Sequence, residues 1–213
     1  MNWLADHWFR LLLVALYLSM LAYHCRLGTR QTRSLSDYLV AGRSLGGWVI
    51  ALSFYATFVS TNSFIGQAGK SWEVGLIWWI KVGVYGPLCW LAWLVVAPRF
   101  YRQSRQFASL TLSDFLGTRY GSTALRRLTA VVILAACSLY LVAIYKGSSH
   151  ALEQFLGFSY GWATLVIFVI VTTYTLLGGF RSVVLTDSVQ GVLMAVGAVA
   201  IRVAVVNRGG GPT

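Results

Sequence analysis

Ser53-Phe-Tyr-Ala-Thr-Phe-Val-Ser-Thr-Asn-Ser-Phe-Ile-Gly-Gln-Ala-Gly69 is the stretch that decides the fold. It lies within an apolar segment, yet hydroxyl and amide side chains crowd into its first eleven positions, namely Ser53, Thr57, Ser60, Thr61, Asn62 and Ser63. Such side chains compete with a helix for its backbone hydrogen bonds. A broken helix is tolerated at membrane depth only where protein encloses it or where it lines a water-filled cavity. The stretch therefore predicts either the discontinuous helix of an ion or solute site, or small polar residues that pack helices together.

The composition around this stretch predicts an all-α, polytopic helical membrane protein. Hydrophobic residues make up 57% of the chain and charged residues 11%, whereas a soluble domain carries about 25% charged residues. Apolar runs of roughly twenty residues, the length needed to cross a bilayer, recur along the chain. We predict one transmembrane domain over residues 1–213, with segments at about 8–24, 45–68, 74–97, 128–145, 160–177 and 183–206.

The distribution of basic residues predicts the orientation in the membrane. A net charge of +11 is compatible with a nucleic-acid partner, but the arginines cluster in the loops between apolar runs, so we expect none. Eleven arginines fall on one side of the predicted topology: Arg26, Arg30, Arg33, Arg43, Arg99, Arg102, Arg105, Arg119, Arg126, Arg127 and Arg181. The loops of the other side hold Lys70 and Lys146. The positive-inside rule then predicts a multi-pass protein of the plasma (inner) membrane, surrounded by lipid bilayer, with its N-terminus outside.

A short helix is predicted in the long loop between the third and fourth segments. Thr111 or Ser113 would cap its start, and Gly117 or Gly121 would end it.

No catalytic constellation is visible in the sequence. The serine-hydrolase, phosphate-loop and zinc-protease motifs are absent, and six acidic residues are spread over 213 positions. The three cysteines have neither a metal-binding nor a disulfide spacing. We therefore expect a protein that is not an enzyme and that carries no cofactor.

Three stretches together resemble the sodium:solute symporter family. The first is Ser36-Asp-Tyr-Leu-Val-Ala-Gly-Arg-Ser-Leu-Gly46, and the second is the broken segment, which ends in Phe64-Ile-Gly66. The third is Tyr174-Thr-Leu-Leu-Gly-Gly-Phe-Arg-Ser-Val-Val-Leu-Thr-Asp-Ser-Val-Gln190, which is similar to the family's Gly-Gly-x-x-x-Val-x-x-Thr-Asp-x-x-Gln signature. The resemblance covers roughly residues 1–200.

The resemblance implies a fold and an activity. The fold is one leading helix followed by the first five-helix repeat of a leucine-transporter-like inverted-repeat architecture, with the second repeat absent. The activity is sodium-coupled import of a small polar organic solute by alternating access, with sodium as the coupling ion. Because family members are about twice this length or more, we expect a truncated or fragmentary chain.

The resemblance also implies site residues. The backbone carbonyls of Ala56 and Val59 would bind sodium, a hard cation that prefers oxygen ligands. Asn62 and Ser63 would contact the solute, although packing remains the alternative for both. Asp187 would attract the cation on its way to the cytoplasm; alternatively, it is a carboxylate in the first turn of a helix, paired with Arg181.

Two other functions are compatible with the same sequence. A symporter-like membrane domain also occurs at the front of some solute-sensing histidine kinases, where a soluble signalling region follows it. The third interpretation is an inactive truncated product, which would support no uptake when these 213 residues are expressed alone.

Overall fold

The computed structural model describes the backbone of residues 3–59 and 66–208, and the side chains of residues 8–59 and 66–208. These residues are helical and include no strand. The helices are α1 (Trp3–Gln31), α2 (Leu35–Val40), α3 (Gly47–Phe58), α4 (Gln67–Val74), α5 (Ile77–Gln106), α6 (Leu112–Tyr120), α7 (Thr123–Leu156) and α8 (Tyr160–Arg208). The prediction of an all-α chain is confirmed for this part of the protein.

The chain divides into two compact units. The first unit comprises Met1–Ser60 and Ser148–Thr213, and the second comprises Thr61–Gly147. In the first unit, α8 packs against α1, α2 and α3. The polar site described below lies entirely within this unit.

A capped turn joins α1 to α3 in the first unit. Ser34 accepts a hydrogen bond from the backbone of Asp37, and the Asp37 side chain accepts one from the Ser34 backbone, which is a capping box. The Ser34 hydroxyl and the backbone N–H groups of Arg33 and Ser34 lower the pKa of Asp37. A single 3-10 turn over Ala41–Arg43 follows, with positive φ at all three residues. This compact turn bends the chain by 105° before α3 begins.

Helix α3 is too short to cross a membrane alone. It has twelve residues, or about 18 Å at 1.5 Å per residue, whereas a bilayer core is about 30 Å thick. At Val59 the backbone leaves the helical region, with φ −91° and ψ 68°. An ordinary continuous α-helix over residues 45–68 is therefore excluded by the end of α3.

Helix α8 contains a break at Gly179. Its 49 residues would extend about 73 Å as one straight helix, more than twice the thickness of a bilayer core. Gly179 has φ 61° and ψ −167°, a conformation that is essentially restricted to glycine. The break separates 19 residues from 29; the two segments predicted at 160–177 and 183–206 lie on either side of it and stay predictions as membrane crossings.

Four helices of the described residues are long and apolar enough to cross a membrane: Trp8–Gln31, Ile77–Gln106, Thr123–Leu156 and Tyr160–Arg208. The bent pair Leu35–Arg43 and Gly47–Phe58 makes a fifth if it is counted as one span. The structure thus shows several apolar helices that fit membrane crossings. Six crossings, and the assignment of five of them to one repeat, remain predictions.

In the second unit, α6 is the short helix predicted in the long loop. Thr111 caps it by accepting a hydrogen bond from the backbone of Asp114, and Gly121 ends it with a left-handed φ of 60°. Phe115 is buried against Phe100 of α5 and Phe107, with ring centroids 4.5 Å and 5.8 Å away. The sequence therefore predicted this helix, and of the two candidates for each end the structure shows Thr111 at the start and Gly121 at the finish.

Candidate functional site

The Asp187 carboxylate is the centre of the candidate site. It lies on α8, eight residues after the break at Gly179, and it accepts a hydrogen bond of 3.2 Å from the Ser53 hydroxyl of α3. Ser53 is buried and Asp187 is half-buried. Tyr17 of α1 is close by, because its hydroxyl accepts a hydrogen bond from Gln190, three residues after Asp187. An acidic group thus lies among oxygen-bearing side chains of three helices, which is the chemistry that a hard cation prefers.

Two residues beside Asp187 are hydrogen-bonded to α1. The Thr186 hydroxyl lies 3.0 Å from His24 Nδ1, and the Gln190 side-chain amide donates to the Tyr17 hydroxyl at 2.6 Å. Thr186 is fully buried. Asp187 therefore lies between two neighbours that α1 holds, while its own carboxylate faces Ser53 of α3.

Small residues let these helices approach each other closely. A Cβ atom added to Gly191 would lie 2.5 Å from the backbone oxygen of Leu52 in α3. A Cβ atom added to Gly28 of α1 would lie 2.3 Å from the backbone oxygen of Gly178. Real Cβ atoms do not approach oxygen atoms so closely. Glycine at these positions therefore allows α8 to contact both neighbours through its backbone.

Hydroxyl groups from α1 and α2 bind backbone oxygens at the break in α8. Thr29 donates to the Leu177 carbonyl at 2.8 Å, and Tyr38 donates to the Leu176 carbonyl at 3.2 Å. A helix that ends leaves its last carbonyls without intrahelical partners. These two donors give such carbonyls partners at the break.

The pairing of Asp187 with Arg181 is not found among the described residues. Asp187 accepts from Ser53 instead, and the positive charge of Arg181 acts on Asp37. Asp187 also lies about two turns beyond Gly179, so it is not in the first turn after the break. The structure therefore gives no support to the alternative in which Asp187 only neutralises a helix start.

The other predicted site residues lie at or beyond the end of α3. Ala56 is buried and Val59 is half-buried. The helical partners of their carbonyls would be the N–H groups of residues 60 and 63, which lie outside the described residues. Asn62 and Ser63 also lie outside them, so the structure says nothing about their contacts. Within residues 8–59 and 66–208, no group of three or more His, Cys, Asp or Glu side chains is arranged for a metal ion.

Sequence reasoning missed the contribution of α1 to this site. His24, Tyr17 and Thr29 all contact residues more than 140 positions away in the chain. Nothing in the local pattern of α1 marks these three side chains as different from the other polar residues of an apolar helix. A local signal did exist for the capped turn, because Ser34-Leu-Ser-Asp37 has the spacing of a capping box.

Comparison with known proteins identifies the family. The model of the sodium:solute symporter family matches residues 38–213 of this chain. The chain belongs to the sodium:solute symporter family. The matched region includes α3, the break in α8 and the Asp187 site. No solved structure matches the chain.

Three relatives in which this chain finds a match are named as pantothenate or proline transporters. The sodium/pantothenate symporter of Escherichia coli (strain K12) is 33% identical over 177 residues, which cover 83% of this chain and 37% of that protein. The high-affinity proline transporter PutP of Bacillus subtilis (strain 168) is 33% identical over 189 residues, covering 85% of this chain and 39% of the relative. The sodium/proline symporter of Staphylococcus aureus is 29% identical over 210 residues, which cover 96% of this chain and 41% of that protein. The chain thus spans about two fifths of the length of these symporter-family relatives.

Proposed function

We propose that the protein to which this chain belongs is a sodium-coupled symporter that imports a small polar organic solute by alternating access. The observation that carries this proposal is family membership over residues 38–213, together with relatives named as sodium symporters. In this mechanism sodium binding stabilises an outward-open state, solute binding closes it, and both are released inside. The protein would use an ion gradient and would not be an enzyme.

The sodium site would begin at the end of α3. A helix that stops within the membrane exposes backbone carbonyls, which are oxygen ligands of the kind that hard cations prefer. We assign this role to Ala56 and Val59, and we assign solute contact to Asn62 and Ser63. The shortness of α3 and the non-helical backbone of Val59 support the assignment. These residues would supply one part of the site, because a sodium ion needs more ligands than two carbonyls.

Asp187 would attract the cation during its release. Its carboxylate lies one hydrogen bond from Ser53, which is three residues before Ala56 on the same helix. A cation that leaves the end of α3 toward the Arg-rich side would therefore pass close to a negative group. We place that side in the cytoplasm and the N-terminus outside, in accordance with the positive-inside rule.

The solute is proposed to be a small carboxylate. Proline and pantothenate, which appear in the names of the relatives, both carry one carboxylate group and further polar groups. Neutral Asn62 and Ser63 offer an amide and a hydroxyl, which can hydrogen-bond such a molecule. Which carboxylate is transported would depend on residues beyond these two.

The experiment is an uptake assay with the full protein encoded by the gene, reconstituted in vesicles. Radiolabelled proline and pantothenate are offered under an inward sodium gradient, and an equal gradient of N-methylglucamine serves as the control. We expect uptake of one of the two to rise at least tenfold with sodium. Equal uptake in the two gradients would contradict sodium coupling, and sodium-driven uptake of neither solute would contradict the proposed solute class.

Asp187→Asn tests the release step in the same vesicles. The substitution keeps the shape of the side chain and removes its charge. We expect the half-saturating sodium concentration to rise about tenfold, because one charge-assisted contact of 1.5 to 3 kcal/mol is weakened. Glu73→Gln is the matched control, since Glu73 is an exposed carboxylate paired with Lys70. Equal sodium dependence in the two variants would remove Asp187 from the pathway.

A further inference from the structure

We propose that Tyr17 of the leading helix is a positioning residue for Asp187, and that it acts through Gln190. This inference rests on the proposed function, because it concerns how the cation-attracting carboxylate is held. The leading helix precedes the repeat that the family resemblance assigns to the transport core. The geometry gives it a direct part in the polar site nonetheless.

The first step of the argument is the position of the two contacts with α1. Thr186 precedes Asp187 directly, and Gln190 follows it by three residues, which is just under one helical turn. The Thr186 contact with His24 and the Gln190 contact with Tyr17 therefore hold α8 on both sides of Asp187. The Gln190 contact, at 2.6 Å, is the shorter of the two.

The second step is the sensitivity of the carboxylate to rotation of α8. Asp187 has one direct hydrogen bond among the described residues, the 3.2 Å contact from Ser53. A rotation of α8 by about 20° moves an atom at a radius of about 5 Å by nearly 2 Å, given the dimensions of a helix. A contact of that length would then be lost, because hydrogen bonds weaken steeply beyond about 3.2 Å. Two tethers to α1 oppose such a rotation.

The third step separates positioning from simple packing. The close approach of α1 and α8 is already provided by Gly28 and Gly178, whose backbones are in contact. Removing the Tyr17 hydroxyl leaves that contact and the aromatic ring in place. What is lost is the partner of the Gln190 amide. If removing the Tyr17 hydroxyl raises the half-saturating sodium concentration, that rise therefore reports on Asp187 and not on the packing of α1 against α8.

The experiment compares Tyr17→Phe with Tyr23→Phe in the full protein in vesicles. Both substitutions remove one hydroxyl from α1, but Tyr23 is 65% exposed and its hydroxyl has no partner among the described residues. We expect Tyr17→Phe to raise the half-saturating sodium concentration roughly two- to tenfold, the effect of one hydrogen bond. The half-saturating solute concentration, measured at saturating sodium, stays unchanged. We expect Tyr23→Phe to have the same half-saturating sodium and solute concentrations as the wild type.

A double variant checks the route through Gln190. Gln190→Met alone should raise the half-saturating sodium concentration by the same factor as Tyr17→Phe. The double variant should then have the same half-saturating sodium concentration as either single variant. Additive effects would overturn the route through Gln190. Equal half-saturating sodium concentrations for Tyr17→Phe and the wild type would overturn the positioning role. A lower protein amount or maximal rate of uptake, with both half-saturating concentrations unchanged, would overturn it as well. Sodium-independent uptake by the wild type would instead overturn the proposed function.

Discussion

Residues 182–191 of α8 and residues 128–142 of α7 are both helical and apolar overall, yet they are surrounded differently. In α8 the buried positions are held by small residues, namely Ser182, Val184, Thr186, Ser188 and Gly191. In α7 no residue between 128 and 142 is buried, and Leu139 is 75% exposed. A water-soluble protein would show the reverse, with its large apolar side chains inside.

The difference shows which solvent these helices are built for. Lipid tails are as apolar as leucine, so burying large apolar side chains against another helix brings little advantage in a bilayer. Small residues bring helix backbones into contact, and hydroxyl groups then find partners across the interface. The small-residue stretch of α8 is thus the packed part of the first unit, and it also carries Asp187.

The largest expected effect concerns the one buried aromatic side chain of the described residues, which lies in the second unit. Phe115→Ala should lower the free energy of unfolding by about 3 to 5 kcal/mol, because it leaves a cavity between Phe100 and Phe107. Leu112→Ala on the same helix is the control, since Leu112 is 46% exposed and should cost within about 0.5 kcal/mol. Unfolding of the full protein in detergent by denaturant measures both. Equal losses of unfolding free energy in the two variants would show that the exposed fraction of a side chain does not indicate how well it is packed in this unit.

The next effect tests the small-residue stretch itself. Gly191→Ala should lower the free energy of unfolding by about 1 to 3 kcal/mol, because its Cβ would press on the Leu52 backbone oxygen. Gly197→Ala, six residues further along α8, meets no atom within 4 Å and should stabilise the helix by about 0.5 to 1 kcal/mol. The two variants therefore differ in sign, which the same unfolding assay detects. A higher free energy of unfolding in both variants would mean that the backbones of α3 and α8 are not in contact.

The smallest effect concerns the hydroxyl groups that bind carbonyls at the break. Thr29→Val removes the hydrogen bond to the Leu177 carbonyl. It should lower the free energy of unfolding by about 0.6 kcal/mol, the average for such bonds between membrane helices. Thr32→Val is the control, because the only partner of the Thr32 hydroxyl among the described side chains and backbone groups is the Gly28 carbonyl of its own helix. Thermal inactivation of sodium-dependent uptake gives the more sensitive reading. A Thr32 effect as large as that of Thr29 would contradict a role for the contact between helices.

Local chemistry made several elements predictable. Helix α6 was predictable, with two candidates for each end, because a capping hydroxyl and a left-handed glycine act within one helical turn; the structure shows Thr111 and Gly121 in these roles. The polar stretch after Ser53 predicted an interrupted helix, and α3 does end at Phe58. The break in α8 falls at Gly179, whose backbone conformation few residues other than glycine adopt.

The contacts around Asp187 were beyond local reasoning. The sequence offered Arg181 as its partner, because the two are close in the chain and opposite in charge. The fold instead brings Ser53 to the carboxylate from 134 positions away. Charge and spacing along one helix cannot reveal which face of it a distant helix will cover.

The sequence by itself predicted the all-helical, apolar character of this protein and its family. Each of these depends on composition or on residues that act within a few positions of one another. Only the tertiary structure decided that α1 supplies Tyr17 and His24 to the neighbourhood of Asp187, and Thr29 to the break in α8. The physical reason is that a hydrogen bond between helices depends on their crossing and rotation, which are set by glycine contacts such as Gly28 with Gly178 and Gly191 with Leu52.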